Sequence, residues 1–74
     1  MSEKERMKKI MDMMIEEDLY IEYISIDLYD WFKNYTDGEG IILYKDRVFQ
    51  TDQYIKSDGT MVNELMMYDV VVLE

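Results

Sequence analysis

Apolar residues recur at Met7, Ile10, Met11, Met14 and Ile15, in steps of three and four. That spacing predicts a helix over Glu3–Glu17 with one apolar stripe. Ser2 can cap its start, and Glu5 stands three residues later, as in a capping box. From Asp18 to Tyr35 two patterns overlap. Ile21, Ile24, Leu28, Trp31 and Tyr35 keep the helical step, whereas "LYIEYISI" is dense in strand-forming residues. The stretch predicts a second helix over at least Ser25 to Tyr35, capped by Ser25 or Asp18, and leaves residues 18–25 open between helix and strand. Gly38 and Gly40 in "YTDGEG" end it, because both permit positive φ.

Beyond Gly40 the period changes. "IILYKDRVFQT" predicts a hairpin with Lys45 and Asp46 at its tip, and the Asp58-Gly59 pair in "YIKSDGTMV" predicts a second tight turn. "YDVVVLE" predicts a final strand whose Val70–Val72 run implies burial on both faces. "TMVNELMMYD" reads equally as a strand or as a short helix capped by Thr60. The expected architecture is α+β, with two N-terminal helices packed on a small antiparallel sheet in one domain spanning residues 1–74. Its expected core is Ile10, Met14, Ile24, Leu28, Trp31, Leu43, Val48, Val70 and Val72.

Seventy-four residues allow one modest core, and domains of this size commonly gain stability from a second copy, so a homodimer is an expected option. The chain has neither Cys nor His. That removes disulfides, thiolate and imidazole metal ligands, and the Ser-His and Cys-His nucleophile pairs. "TDGEG" lacks the ligand spacing of a calcium-binding EF-hand, and no Gly-rich phosphate loop occurs. Paired carboxylates can hydrolyse glycosides, but so short a chain can hardly enclose the substrate cleft that reaction needs. The expectation is a protein that is not an enzyme and has no cofactor or metal. No apolar run approaches bilayer length, and Asp12 interrupts the apolar stretch near the start, which points to a soluble, cytoplasmic protein.

Charge changes the picture further. The net charge is −9, divided as +2 over residues 1–9, −8 over residues 10–40 and −3 over residues 41–74. A field of that sign disfavours direct contact with nucleic acid or anionic membranes and attracts basic protein surfaces. Between Ile15 and Phe32 stand Glu16, Glu17, Asp18, Glu22, Asp27 and Asp30, with no Lys or Arg among them. Glu16, Glu17 and Asp18 crowd the C-terminal end of the first helix, where cations are preferred. Asp12 and Glu16 are four apart, as are Asp18 and Glu22, and Asp27 and Asp30 are three apart. On a helix such pairs lie about 5–6 Å apart, close to the spacing of phosphates along a DNA strand. The bland reading of the same acids is a solvated face that keeps the protein soluble.

Aromatic residues interleave these acids. Trp31 and Phe32 read first as core, while Tyr20, Tyr23 and Tyr29 stand equally as core or as interface anchors. The adjacent pairs Met13–Met14 and Met66–Met67 cannot both point inward, which leaves some Met side chains near the surface.

In size, in lacking Cys and His, and in the acidic aromatic block at residues 12–40, the chain resembles small acidic phage-encoded DNA mimics that disable host DNA-binding proteins. That class includes inhibitors of uracil-DNA glycosylase, restriction enzymes, CRISPR nucleases and the replicative sliding clamp. "SIDLYDWF" (Ser25–Phe32) is also loosely similar to the bacterial clamp-binding peptide, although the Gln that opens that peptide is missing. The resemblance implies a basic, DNA-binding host protein as partner. The contact residues it implies are Asp12, Glu16, Glu17, Asp18, Tyr20, Glu22, Tyr23, Asp27, Tyr29 and Asp30. The alternative is a small regulatory or adaptor protein, antitoxin-like, that binds a basic partner without mimicry.

Overall fold

A computed structural model describes residues 2–19, 21 and 23–70. The chain order is α1 (Glu3–Glu17), α2 (Ile26–Tyr35), β1 (Ile41–Tyr44), β2 (Arg47–Ile55) and β3 (Met61–Asp69), an α+β fold with the helices first. α1 starts where Ser2 Oγ accepts the Glu5 N–H at 3.2 Å, and α2 starts where Ser25 Oγ accepts the Leu28 N–H at 3.2 Å. Each cap satisfies a donor that the helix itself leaves unpaired. Of the two expected caps for α2, Ser25 is the one used. α1 buries Met7, Met11 and Met14, and α2 buries Leu28 and Phe32, in each case one stripe at helical spacing.

The sheet is antiparallel in the order β1-β2-β3. Lys45 and Asp46 connect β1 to β2 with φ of 48° and 64°. Positive φ at both positions is what a two-residue hairpin turn requires. Lys56–Thr60 connects β2 to β3: the Lys56 N–H donates to the Thr60 carbonyl at 2.8 Å, and Asp58 Oδ1 accepts the Thr60 N–H at 2.9 Å. From α2 the chain enters β1 through Gly40, whose φ of +70° and close approach to Thr51 and Lys33 leave little room for a side chain.

Ile42, Tyr44, Phe49, Thr51, Leu65 and Met67 share the sheet face that meets the helices. Met7, Met11, Met14, Leu28, Phe32, Phe49, Leu65 and Met67 form the buried cluster, with Ile10, Ile15, Ile21, Ile24 and Trp31 packed around it. Thr51 is also buried, and its hydroxyl donates to the Glu64 carbonyl at 3.0 Å.

Both open segments are decided. The link between the helices is not helical. Ile21 and Leu65 exchange backbone hydrogen bonds at 3.4 and 3.0 Å, and the Ile24 N–H donates to the Asn63 carbonyl at 2.7 Å. Ile21 and Ile24 both pack on the core. Residues 61–69 form a strand, not a helix.

Several expectations need correction or fall outside the described residues. The last strand is Met61–Asp69, and Val70 lies beyond it, 42% exposed rather than in the core. β2 begins at Arg47, the partner of Asp69, so Val70 has no strand opposite it. Leu43 is 70% exposed rather than buried. The turn at Lys45–Asp46 places Ile42 and Tyr44 on the inner face, and alternation sends Leu43 to the outer one. Val48, the partner of Leu43, shares that outer face and is half-buried. Val72, an expected core residue, lies outside the described residues, as do Tyr20 and Glu22. Among the described residues no helix is long and apolar enough to cross a membrane.

Candidate acidic interaction surface

α1 runs from the β1 edge, where Lys4 and Lys8 lie beside Ile42 and Tyr44, to the far end of β3, where Asp18 lies beside Met67 and Asp69. The link then follows the outer edge of β3, and α2 starts near Asn63. The acids of the 12–40 block are thereby divided. Glu16, Glu17 and Asp18 stand exposed at one corner, and Asp27 and Asp30 stand exposed on α2. Between the two groups lie five residue steps of β3, from Asn63 to Tyr68, or about 17 Å at ~3.4 Å per residue.

The corner at Asp18 is held at a structural cost. Asp18 takes the left-handed conformation, φ 54°, at the end of α1, and the Leu19 N–H reaches back to the Met14 carbonyl at 3.2 Å. Glycine is the residue that takes this position without strain. The last turn of α1 carries no base, so three carboxylates face the negative end of the helix dipole uncompensated. Asp27 is placed differently, in the first turn of α2, where the dipole favours an anion. Its position needs no explanation beyond helix stability.

Asp12 is committed within the fold. Its Oδ1 accepts from Lys45 Nζ at 2.8 Å and from the Tyr44 hydroxyl at 2.9 Å. The Lys45 ammonium first, and the Tyr44 hydroxyl second, hold the Asp12 carboxyl below the usual carboxylate range; Asp12 in turn raises Lys45. A second ion pair joins Arg47 Nε to Asp69 Oδ1 at 3.1 Å, although the Nε–H is not directed at that oxygen. Asp58, outside the block, is held low by the Thr60 N–H.

Of the aromatic candidates, Tyr23 is 56% exposed; its hydroxyl accepts from Lys56 Nζ at 2.6 Å, and the ammonium lies 5.1 Å from the ring centre. Tyr29 is half-buried. Trp31 stacks on Tyr35 with ring centres 4.9 Å apart. One functional candidate was not legible in the sequence. Asp69 joins the Asp18 corner from a strand 51 residues away, and only the pairing of β3 with β2 places it there. No group of three or more carboxylates among the described residues is arranged to hold a metal ion. Compared with known protein families, curated proteins and solved structures, the chain matches none.

Proposed function

We propose that this chain is an acidic inhibitor that occupies the basic nucleic-acid-binding surface of a host protein and excludes DNA from it. The observation that carries the reading is the Asp18 corner. Glu16, Glu17 and Asp18 are kept where the helix dipole opposes them, and Asp18 is also kept in a backbone conformation that favours glycine. Acids that stabilise nothing in their own helix are explained by a partner outside it. The second acidic group, Asp27 and Asp30 on α2, lies about 17 Å away along β3 and gives the acidic surface a second point of contact. Tyr23, exposed on the link between the two groups, is the aromatic anchor for that contact.

The test is competition. With a candidate target in hand (a sliding clamp, nuclease or repair enzyme), binding of this chain and of duplex DNA is mutually exclusive and weakens steeply with salt, because exposed charges are screened within ~10 Å at 0.1 M. Replacing Glu17, Asp18 and Asp30 with Lys abolishes inhibition, whereas Asp52→Lys, on the exposed outer sheet face, has little effect. A stable ternary complex of target, DNA and this chain would replace mimicry with the adaptor reading.

A further inference from the structure

β1 is an unguarded sheet edge. The Thr51 N–H donates to the Gly40 carbonyl at 2.9 Å, and the two-residue turn closes on the Tyr44–Arg47 pair. In an antiparallel ladder alternate residues bond to the neighbouring strand, so Gly40, Ile42 and Tyr44 bond to β2. Ile41 and Leu43 therefore turn their N–H and C=O groups outward, where nothing among the described residues pairs with them. Both side chains are exposed, Ile41 at 47% and Leu43 at 70%. Natural edges are blunted by charge, Pro, bulges or a covering element, and Ile41–Tyr44 has no charge, Pro or bulge.

Four of the chain's eight bases, Lys4, Lys8, Lys33 and Lys45, lie at this edge. A cavity of about 120 Å³ is lined by Lys4, Lys8, Trp31, Tyr35, Ile42 and Leu43, among others. Ile42 faces the helices and Leu43 faces away from them, so a cavity touching both opens at the β1 edge. Lys45 follows β1 directly. Asp18 and the start of α2 lie on the opposite side, along β3. A chain of net charge −9 repels its own copies least where its bases lie.

We propose that a second copy of this chain pairs with β1 across a two-fold axis, antiparallel and edge to edge, making one six-stranded sheet. The outward groups dictate the register. Ile41 pairs with the partner's Leu43, and Leu43 with the partner's Ile41, giving four hydrogen bonds with Ile42 on the axis. Continuing that register places Lys45 opposite the partner's Glu39, twice by symmetry. One of the three Lys45 donors stays on Asp12, and the ammonium also sits by the Tyr44 ring, which leaves it a donor to turn toward Glu39. The exposed Ile41 and Leu43 side chains of the two copies meet on the outer face. Four residues of pairing form a small interface, well under the ~800 Å² per partner of a standard one, so the dimer is weak, with Kd in the micromolar range or above. The acid-bearing β3 side faces outward in both copies, so this association is independent of the function proposed above.

Amide hydrogen exchange and sedimentation at about 20 µM and about 1 mM test it. The expected result is dimer at the higher concentration, with exchange at the Ile41 and Leu43 amides slowed at least about tenfold there. Ile42 and Tyr44 amides are protected at both concentrations. Glu39→Lys places a base opposite Lys45 and weakens the dimer about tenfold, although it lowers the net negative charge. Leu43→Pro, which removes a donor with no bond inside the chain, leaves only monomer. Three results overturn the proposal: monomer at about 1 mM; a dimer whose Ile41 and Leu43 amides exchange fast, as face-to-face sheet packing would give; or a Glu39→Lys dimer as tight as the parent.

Discussion

Lys45 Nζ lies 2.8 Å from Asp12 Oδ1 and ties the middle of α1 to the β1–β2 turn across 33 residues of sequence. The bond gives Lys45 a reason to occupy a turn position with φ of 48°, where a glycine or asparagine would be easier to hold. It also makes the turn pH-sensitive at both extremes. The Asp12 pKa is lowered, so its contribution is full above the ordinary value near ~3.9 and is lost as pH falls through the folded value. The Lys45 pKa is raised, so its contribution is full below the ordinary value near ~10.4 and is lost as pH rises through the folded value. Thermal melts should show Asp12→Asn less stable than the parent at pH 7, with the difference shrinking below about pH 4. A constant difference across the acid range would assign its effect to packing instead.

Asp18→Gly should stabilise the fold and weaken the proposed activity together. Glycine relieves the left-handed strain and removes one carboxylate from the negative end of α1, a net gain of about 1 kcal/mol after its entropic cost. Urea melts report the gain, and association with the target reports the loss. Stabilisation with unchanged binding would mean that no partner accounts for the carboxylate at this strained position.

Asp46→Gly tests left-handed strain at a site away from any helix end. Asp46 sits at φ 64° in the β1–β2 turn, and glycine there should add about 0.5 kcal/mol, the strain relieved less the entropy glycine brings to the unfolded chain. Denaturant midpoints decide the sign.

Two residues of β2 that alternation puts on the same sheet face should differ sharply, because only one of them is buried. Phe49→Ala empties the centre of the core and costs about 3–5 kcal/mol, a large part of what a domain of this size can spare. Ile55→Thr, at 66% exposure on the last residue of β2, should stay within about 0.5 kcal/mol. Far-UV circular dichroism under denaturant measures both.

Local signals were enough for the elements whose side chains act within a few residues. Ser2 and Ser25 mark the two helix starts because a cap bonds three residues ahead, and the Met7–Met11–Met14 stripe follows from helical period alone. The turns at Lys45–Asp46 and Asp58-Gly59 were legible because tight turns are set by their own residues. The acids at Glu16–Asp18 were legible too, and so was their conflict with the helix dipole. What local pattern could not settle was anything resting on a distant strand. "IILY" is apolar throughout, so no alternation in it says which side chains face inward; only its register against β2 sends Leu43 out and Ile42 in. Val70 has a strong strand preference in sequence, but β2 offers no partner past Arg47. Ile21 and Ile24 fit neither pattern by themselves, because their backbone hydrogen bonds go to Leu65 and Asn63, some forty residues ahead. The same pairing divides the acidic block between two corners of the molecule. Sequence determined which residues carry the charge, and tertiary structure decided how that charge is distributed, because strand pairing sets positions that no local rule contains.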